Sequence, residues 1–247
     1  TNSDGSLNFD FIKRGGDENK NPSFLYGFAE GLGESCVGYF FPYLTDNTNG
    51  ISISMPPAAD VAITYMQKHI SGVAGVEPWT IAAGLSNGMV NTSGTEMDFT
   101  DEDLEHLYEM GANPIVRDIN SGYYINSEST AQVKPVTSLS YIHSREVLIE
   151  LENDMYDMLL RYHWKFNTPS VRAEIKYKAD KICKEYLDRG ALYDFRNVID
   201  ETNNTPDLID AQKGILDTYV EITKGLAIII NKITILGTGK IQSSGFG

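Results

Sequence analysis

The chain has 247 residues, with 20 Lys and Arg against 34 Asp and Glu, so its formal net charge is −14. This length fits one large domain or two ordinary ones and can bury a core without disulfide or metal staples. Affinity for nucleic acids rests on basic groups that neutralise phosphates, so the composition excludes a primary nucleic-acid binder. It also excludes general adhesion to anionic membranes.

The charge is unevenly distributed along the chain. Residues 1–120 have 5 basic and 17 acidic side chains, whereas residues 121–247 have 15 and 17. This asymmetry predicts two structural units with different surroundings. Cys36 and Cys183 match no metal or redox spacing, and we expect both to be free, buried thiols. No apolar run reaches the ~18 residues of a membrane span, so membrane insertion is not expected.

The first half predicts an α/β layer. Residues 1–22 are polar and rich in glycine and asparagine, which is typical of a flexible or linking segment. Cys36–Phe41 reads as a buried strand, and Ile51–Met55 alternates apolar and polar residues as a half-buried strand does. Pro56-Pro57 then opens a helix from about Ala58 to His69, because proline is tolerated in a first helical turn.

A second helix and a hairpin complete this layer. Thr100 and Asp103 have the spacing of a capping box, and the acidic first turn suits the positive end of the helix dipole. Ile115–Ile119 and Tyr123–Ile125 flank Asn120-Ser121-Gly122, which predicts two strands joined by a tight turn.

The second half predicts an α+β module. Ser144 is expected to cap a helix that runs to about Trp164, and Thr168 a helix that runs to about Arg189. Favourable i,i+4 ion pairs are expected on the second helix. These are Glu174/Lys178, Asp180/Lys184 and Glu185/Arg189. Strands are predicted near Tyr193–Ile199, Ile215–Thr223 and Leu226–Leu236.

The sequence predicts no catalytic residue. Gly84–Gly88 places Ser86 between glycines, with Asp60 and His69 upstream. Asp60 and His69 lie on one predicted helix, roughly 13 Å apart along its axis, which is too far for a triad contact. No strand-to-helix context supports a nucleophile elbow at Ser86.

No metal or cofactor is predicted either. The cluster Asp98, Asp101 and Asp103 runs directly into a helix, so capping explains it better than a calcium loop. The histidines lack the spacing of a zinc site. They are His69, His106, His143 and His163. No phosphate-binding loop is present, and the glycines of Gly27–Gly33 have the wrong spacing for a nucleotide site.

The predicted helix 170–189 is the candidate interaction element. It holds six basic and four acidic residues. A solvated face with salt bridges would explain this pattern, and so would a docking surface for an acidic partner. The candidate docking residues are Arg172, Lys176, Lys181 and Lys184.

Several stretches follow one another in an order that spans about residues 36–236. They are Tyr39–Leu44, Met55–Ala62, Pro78–Gly84, Leu107–Val116 and Asp200–Pro206 with Asp210 and Gly214. In order and spacing they resemble the tail sheath proteins of contractile phage tails and related injection machines. The marker residues are Pro56, Pro57, Asp60, Asn113, Pro114, Asn203, Asn204, Thr205, Pro206 and Asp210.

The resemblance implies an α/β plus α+β fold. Residues 23–119 would form part of a subtilisin-like α/β layer without an active triad, and residues 120–240 the α+β C-terminal sheath domain. Residues 241–247 would be a tail. Family members are usually longer and exchange strands through terminal arms. Because the chain starts at Thr1, we interpret it as a fragment and expect it to be monomeric.

The resemblance also implies a function without catalysis. Sheath subunits polymerise around a tail tube and contract to drive the tube through the host envelope. The implied partners are other copies of the chain, the tail tube protein and the baseplate, and the location is the virion tail, assembled in the host cytoplasm. Two alternatives remain open: a cytoplasmic α/β hydrolase-like enzyme that uses Ser86 or the acidic cluster, and a non-contractile structural or adaptor protein of a virion.

Overall fold

A computed structural model of the chain describes residues 34–48, 51–70, 77–132 and 136–227. The predicted linking segment 1–22, the tail 241–247 and the glycines of Gly27–Gly33 lie outside these ranges. Most of the strand predicted over Leu226–Leu236 also lies outside them. In the described ranges, no helix is both long and apolar enough to cross a membrane.

The fold is mixed α/β, with strands gathered mainly in the first half and long helices in the second. The strands are β1 (Tyr39–Phe41), β2 (Leu44–Thr48), β3 (Ile51–Met55), β4 (Met89–Val90), β5 (Gly94–Thr95), β6 (Ala112–Asp118), β7 (Gly122–Ile125), β8 (Leu192–Val198) and β9 (Asp217–Ile222). The helices are α1 (Ala58–Ile70), α2 (Gly84–Asn87), α3 (Asp101–Glu109), α4 (Ile142–Leu160), α5 (Pro169–Asp188) and α6 (Pro206–Asp210). Short 3₁₀ turns lie at Glu34–Cys36 and Ser138–Ser140.

A four-stranded sheet organises the first half. Its order is β1-β6-β7-β4, with β1 parallel to β6 and the other neighbours antiparallel. β2, β3 and β5 form a separate antiparallel sheet. The predicted hairpin is confirmed, with Ile115 opposite Ile125 and Asp118 opposite Gly122. The predicted domain boundary at 119/120 therefore falls in the turn between two paired strands.

Local capping signals position two of the helices. At α3, Asp103 N donates to Thr100 Oγ1 and Thr100 N donates to Asp103 Oδ2, at 3.3 and 2.9 Å. The predicted capping box is thus confirmed, and Asp103 takes the part usually played by Glu or Gln. At α5, Thr168 Oγ1 accepts from Val171 N at 3.3 Å and Pro169 stands at the first helical position.

The predicted cap at Ser144 is wrong. α4 begins at Ile142, and Ser144 lies buried inside its first turn. Glu128 takes the capping role instead, because its backbone oxygen accepts from Ile142 N at 2.9 Å and its carboxylate accepts from His143 N at 3.3 Å. The helix start is therefore set by a residue 14 positions upstream rather than by a local cap.

The main core lies between α4, α5 and the antiparallel pair of β8 and β9. Its helical members repeat at spacings of three and four. They are Val147, Leu151, Met155, Met158, Ile175, Ala179, Cys183 and Tyr186. Trp79 joins this core from the first half, stacked on Tyr186 with ring centroids 5.1 Å apart. Cys183 is buried as predicted, but Cys36 is exposed, so the prediction of two buried thiols is wrong for Cys36.

Candidate assembly surface

Asn113 is a buried residue whose side chain connects two segments of the chain. It lies on β6 with no exposed surface, and its Nδ2 donates to Ser129 O at 2.8 Å. Its Oδ1 accepts from Ser127 Oγ and Ser129 N, at 3.1 and 2.6 Å. These three hydrogen bonds of the amide all run to the segment that leads to α4. Its neighbour Pro114 is also fully buried. The pair holds the connection between the first sheet and the second half.

Asn203 and Asn204 hold the connection between β8 and β9. Asn204 is 1% exposed, and its side chain bonds both the N–H and the C=O of Ile215, at 2.8 and 2.9 Å. Asn203 Nδ2 donates to Val198 O and Asp217 Oδ2, at 2.8 and 2.9 Å. These side-chain bonds satisfy main-chain N–H and C=O groups that the loop would otherwise leave unpaired.

The remaining marker residues lie at helix ends or on the surface. Pro57 O accepts from Val61 N at 2.9 Å, which starts α1 just after Pro56-Pro57. Thr205 precedes α6, Pro206 occupies its first turn and Asp210 ends it. Asp60 lies in the first turn of α1. Most of these positions therefore lie where a helix begins or ends.

A buried ion pair connects α1 to α4. Lys68 Nζ lies 2.7 Å from Glu146 Oε2 and donates to Thr80 O at 2.8 Å. Burial lowers the pKa of Lys68 against the opposing effect of Glu146. Burial likewise raises the pKa of Glu146 against the opposing effect of Lys68. Each charge is thus held at a desolvation cost, and neither is tolerated without the other.

Glu128, His143 and Ser144 form an arrangement that the sequence analysis missed. His143 Nδ1 bonds Glu128, while Nε2 lies 3.1 Å from both Thr223 O and Ser144 Oγ. Burial lowers the pKa of His143, but its hydrogen bond to Glu128 and the charge of that carboxylate outweigh this, so the pKa is raised. A ring that donates to Glu128 and to Thr223 O is an imidazolium and cannot act as a base toward Ser144. The arrangement ties the end of β9 to α4.

The proposed serine and acidic sites do not assemble. Ser86 lies exposed on the four-residue α2 and bonds no other described side chain. His69 lies 3.8 Å from Glu146 instead. Asp103 belongs to the capping box of α3. Among the described residues, no group of three His, Cys, Asp or Glu side chains is placed to hold a metal ion.

The candidate docking helix α5 borders a shallow groove of about 470 Å³ against β8. The groove is lined by Lys176, Tyr177, Asp180, Lys181, Lys184, Phe195, Arg196 and Asn197. Lys176 pairs with Asp180 and Lys184 with Asp188, at 2.9 and 3.4 Å. The predicted pair of Asp180 with Lys184 is therefore wrong, because Asp180 pairs with Lys176. Lys181 is exposed and forms no ion pair with another described residue.

Arg172 does not belong to the docking set. Its side chain is 7% exposed, and it donates to Asn167 Oδ1 at 2.9 Å and to Glu201 Oε1 at 3.2 Å. The guanidinium is therefore turned inward and unable to meet a partner. The other predicted pairs of α5 are confirmed, since Lys178 lies 3.3 Å from Glu174 and Arg189 lies 3.9 Å from Glu185.

The architecture is that of contractile sheath subunits. The helical sheath of the anti-feeding prophage in its contracted state superposes with a TM-score of 0.71 at 22% identity, over 82% of this chain and 56% of that one. A chain of the anti-feeding prophage baseplate gives 0.71 at 20% identity, over 83% and 56%. At these identities the likeness concerns the fold.

Sequence comparison gives two phage tail sheath proteins, although no family model matches the chain. The tail sheath protein of Vibrio phage KVP40 is 26% identical over 214 residues, covering 86% of this chain and 30% of that protein. The tail sheath protein of Enterobacteria phage T4 is 22% identical over 225 residues, covering 90% and 32%. The chain thus spans about a third of these relatives. The resemblance to contractile tail sheath proteins that the sequence predicted is confirmed.

Proposed function

We propose that the chain is part of a structural subunit of a contractile tail sheath, which polymerises around a tail tube and contracts to drive the tube through the host envelope. The observation that carries this proposal is the agreement in sequence with two tail sheath proteins over most of the chain. The partners would be other copies, the tube protein and the baseplate. The location would be the virion tail, after assembly in the host cytoplasm.

The same proposal covers the domain plan. The first sheet and its helices would be part of a subtilisin-like layer without catalytic function, and α4 to β9 would be the C-terminal sheath domain. The pairing of β6 with β7 favours a division after Ile125 rather than at 119/120. No cofactor is required, because polymerisation and contraction depend on interfaces between subunits.

The groove between α5 and β8 supports a docking role for this face. Within the described residues β8 pairs only with β9, so its second edge is open to an added strand. Lys176, Lys181 and Lys184 place ammonium groups beside this edge. A partner that adds a strand here would meet a basic border, which favours an acidic tube wall or the acidic first half of a neighbouring copy.

Electron microscopy of the full-length product in negative stain tests the proposal. Striated sleeves are the expected result. Discrete particles without sleeves, together with turnover of an ester or peptide substrate, would favour the hydrolase-like alternative. Light scattering of the 247-residue chain alone tests the expectation that it is a monomer.

Charge reversal tests the docking helix separately. Lys176→Glu, Lys181→Glu and Lys184→Glu together should prevent sleeve formation by the full-length protein. The sharper comparison is Lys181→Glu against Lys213→Glu, because each reverses one exposed lysine and only the first lies in the groove. Normal sleeves from the triple variant would remove the docking role of this helix.

A further inference from the structure

The turn that joins α4 to α5, residues 161–168, presents large aromatic side chains to solvent; we refer to it as the hairpin tip. Trp164 is 86% exposed and Phe166 is 88% exposed. Trp164 has a φ of 64°, a left-handed conformation that is costly for a bulky residue. Tyr156 and Leu160 extend the apolar surface along α4, at 63% and 51% exposure. Exposed aromatic surface of this kind marks an interaction site.

The hairpin tip is also basic. Arg161, His163 and Lys165 alternate with its aromatic residues, and no acidic residue occurs between Asp157 and Glu174. Lys165 Nζ lies 4.4 Å from the Tyr162 ring centroid, and Arg161 forms no ion pair with another described residue. Aromatic anchors bordered by cations favour an acidic protein surface that offers some apolar contact.

A surface with the complementary character lies on α3. Asp101, Glu102, Glu105 and Glu109 are exposed on this helix, and none forms an ion pair with another described residue. Tyr108, 38% exposed, adds an aromatic ring. Clustered carboxylates repel one another, so a basic partner would relieve a repulsion as well as add attraction.

Within one chain these two surfaces lie apart. The 19 residues of α4 span about 28 Å, and α3 lies at the end that begins at Ile142, because the side chain of Tyr108 hydrogen-bonds that of Tyr141. The hairpin tip is at the opposite end. Among the described residues its side-chain hydrogen bonds run to α5 and to Lys213 O. A contact between the two surfaces therefore needs two molecules.

We propose that the hairpin tip of one copy docks on α3 of a second copy, with Trp164 and Phe166 as anchors and Arg161 and Lys165 facing the carboxylates of α3. The two patches differ, so the contact is heterologous and can repeat without closing, as a helical sleeve requires. The inference rests on the proposed sheath function, since that function supplies the repeating copies.

Disulfide cross-linking of the full-length protein tests the contact directly. Cys36 is replaced by Ser, and Glu105→Cys and Lys165→Cys are introduced together. Interchain disulfides that appear on oxidation support the contact, and each single-cysteine variant serves as the control. Sleeves without interchain disulfides overturn the inference but leave the proposed function intact. Cross-linked oligomers without sleeves support the contact and count against the sheath function. The absence of both counts against both.

Charge exchange gives a second readout. Arg161→Glu with Lys165→Glu should lower the yield of sedimentable assemblies by about tenfold or more, because two attractive contacts become repulsive. Adding Glu105→Lys and Glu109→Lys should restore part of that yield. The matched control is Arg117→Glu with Lys224→Glu, which changes the net charge equally at exposed sites that belong to neither surface. Unchanged assembly of the first variant, with loss of binding to anionic lipid vesicles, would overturn the inference in favour of a membrane surface.

Discussion

The ammonium group of Lys68 and the carboxylate of Glu146 meet at 2.7 Å in a position where Lys68 retains 5% of its side-chain exposure. One residue belongs to α1 and the other to α4, so the pair connects the two halves of the chain. Burial lowers the pKa of Lys68 and raises the pKa of Glu146, so it favours the neutral form of each group. The attraction between the two charges opposes both shifts. A buried pair of this kind is costly to break from one side.

Replacing Lys68 alone should therefore be more harmful than replacing both partners. Lys68→Met removes the ammonium partner of the Glu146 carboxylate in the interior and should lower the free energy of unfolding by about 3 kcal/mol. Lys68→Met with Glu146→Leu should recover most of this loss. Urea denaturation of the unsubstituted chain, the two single variants and the double variant measures the coupling between the two residues. A double variant that loses the sum of the two single effects would contradict the prediction.

The His143 imidazolium should make stability depend on pH. Its folded pKa is raised above the ordinary value of about 6.5, so its contribution is fully present below that pH and is lost as pH rises through the folded pKa. The charges that act on it are the carboxylates of Glu128 and Glu146. The stability difference between the unsubstituted chain and His143→Gln should be largest below about pH 6.5 and should shrink as the pH rises above that value.

The control for this prediction is His163→Gln, because His163 is exposed at the hairpin tip. A difference for His143→Gln that grows with pH would contradict the assignment of an imidazolium.

Asn204 should be intolerant of small changes. Asn204→Ala removes the partners of both Ile215 main-chain groups and should cost about 1–3 kcal/mol. Asn204→Asp keeps the shape but turns a donor into an acceptor that faces Ile215 O, and should cost at least as much. Thermal unfolding measures both variants. The exposed Asn153 on α4 offers a control in Asn153→Ala, which should be close to neutral.

Position 164 should prefer glycine to alanine. Both replacements remove an exposed indole, but only glycine accepts a φ of 64° without strain. Trp164→Gly should thus be more stable than Trp164→Ala by about 1 kcal/mol. In the interior of α5 the order should reverse, and Ala173→Gly should cost about 1 kcal/mol. Equal stabilities of the two variants at position 164 would show that the turn relaxes when the ring is removed.

Features encoded by neighbouring residues could be predicted from the sequence. The caps at Thr100 and Thr168 depend on side chains three positions from the groups they bond, so local spacing is sufficient. The cap of α4 could not be found in this way. The first N–H groups of α4 donate to Glu128, which lies on another segment of the chain. Ser144 matches only the local sequence pattern of a capping residue.

The docking helix shows the same limit. Charge counting grouped Arg172 with the lysines of α5, but Arg172 lies on the stripe that continues with Ile175, Ala179 and Tyr186. Spacings of three and four place it on the buried face, and this signal was available in the sequence. Pairing with Asn167 and Glu201 was not available, because one of the two partners comes from beyond the next strand.

Trp79 has a practical consequence for dissecting the protein. The indole comes from the first half but contacts both Tyr186 and Arg189 of the second. The Trp79 and Tyr186 ring centroids are 5.1 Å apart, and the Arg189 guanidinium lies 4.7 Å from the indole. Thr80 O, next in the chain, accepts from Lys68. A fragment that begins after β7 would leave an unfilled slot beside Tyr186, and the complementary fragment would carry an exposed tryptophan. Truncations meant to yield a well-behaved C-terminal piece should retain residues 77–82, or supply them as a separate peptide.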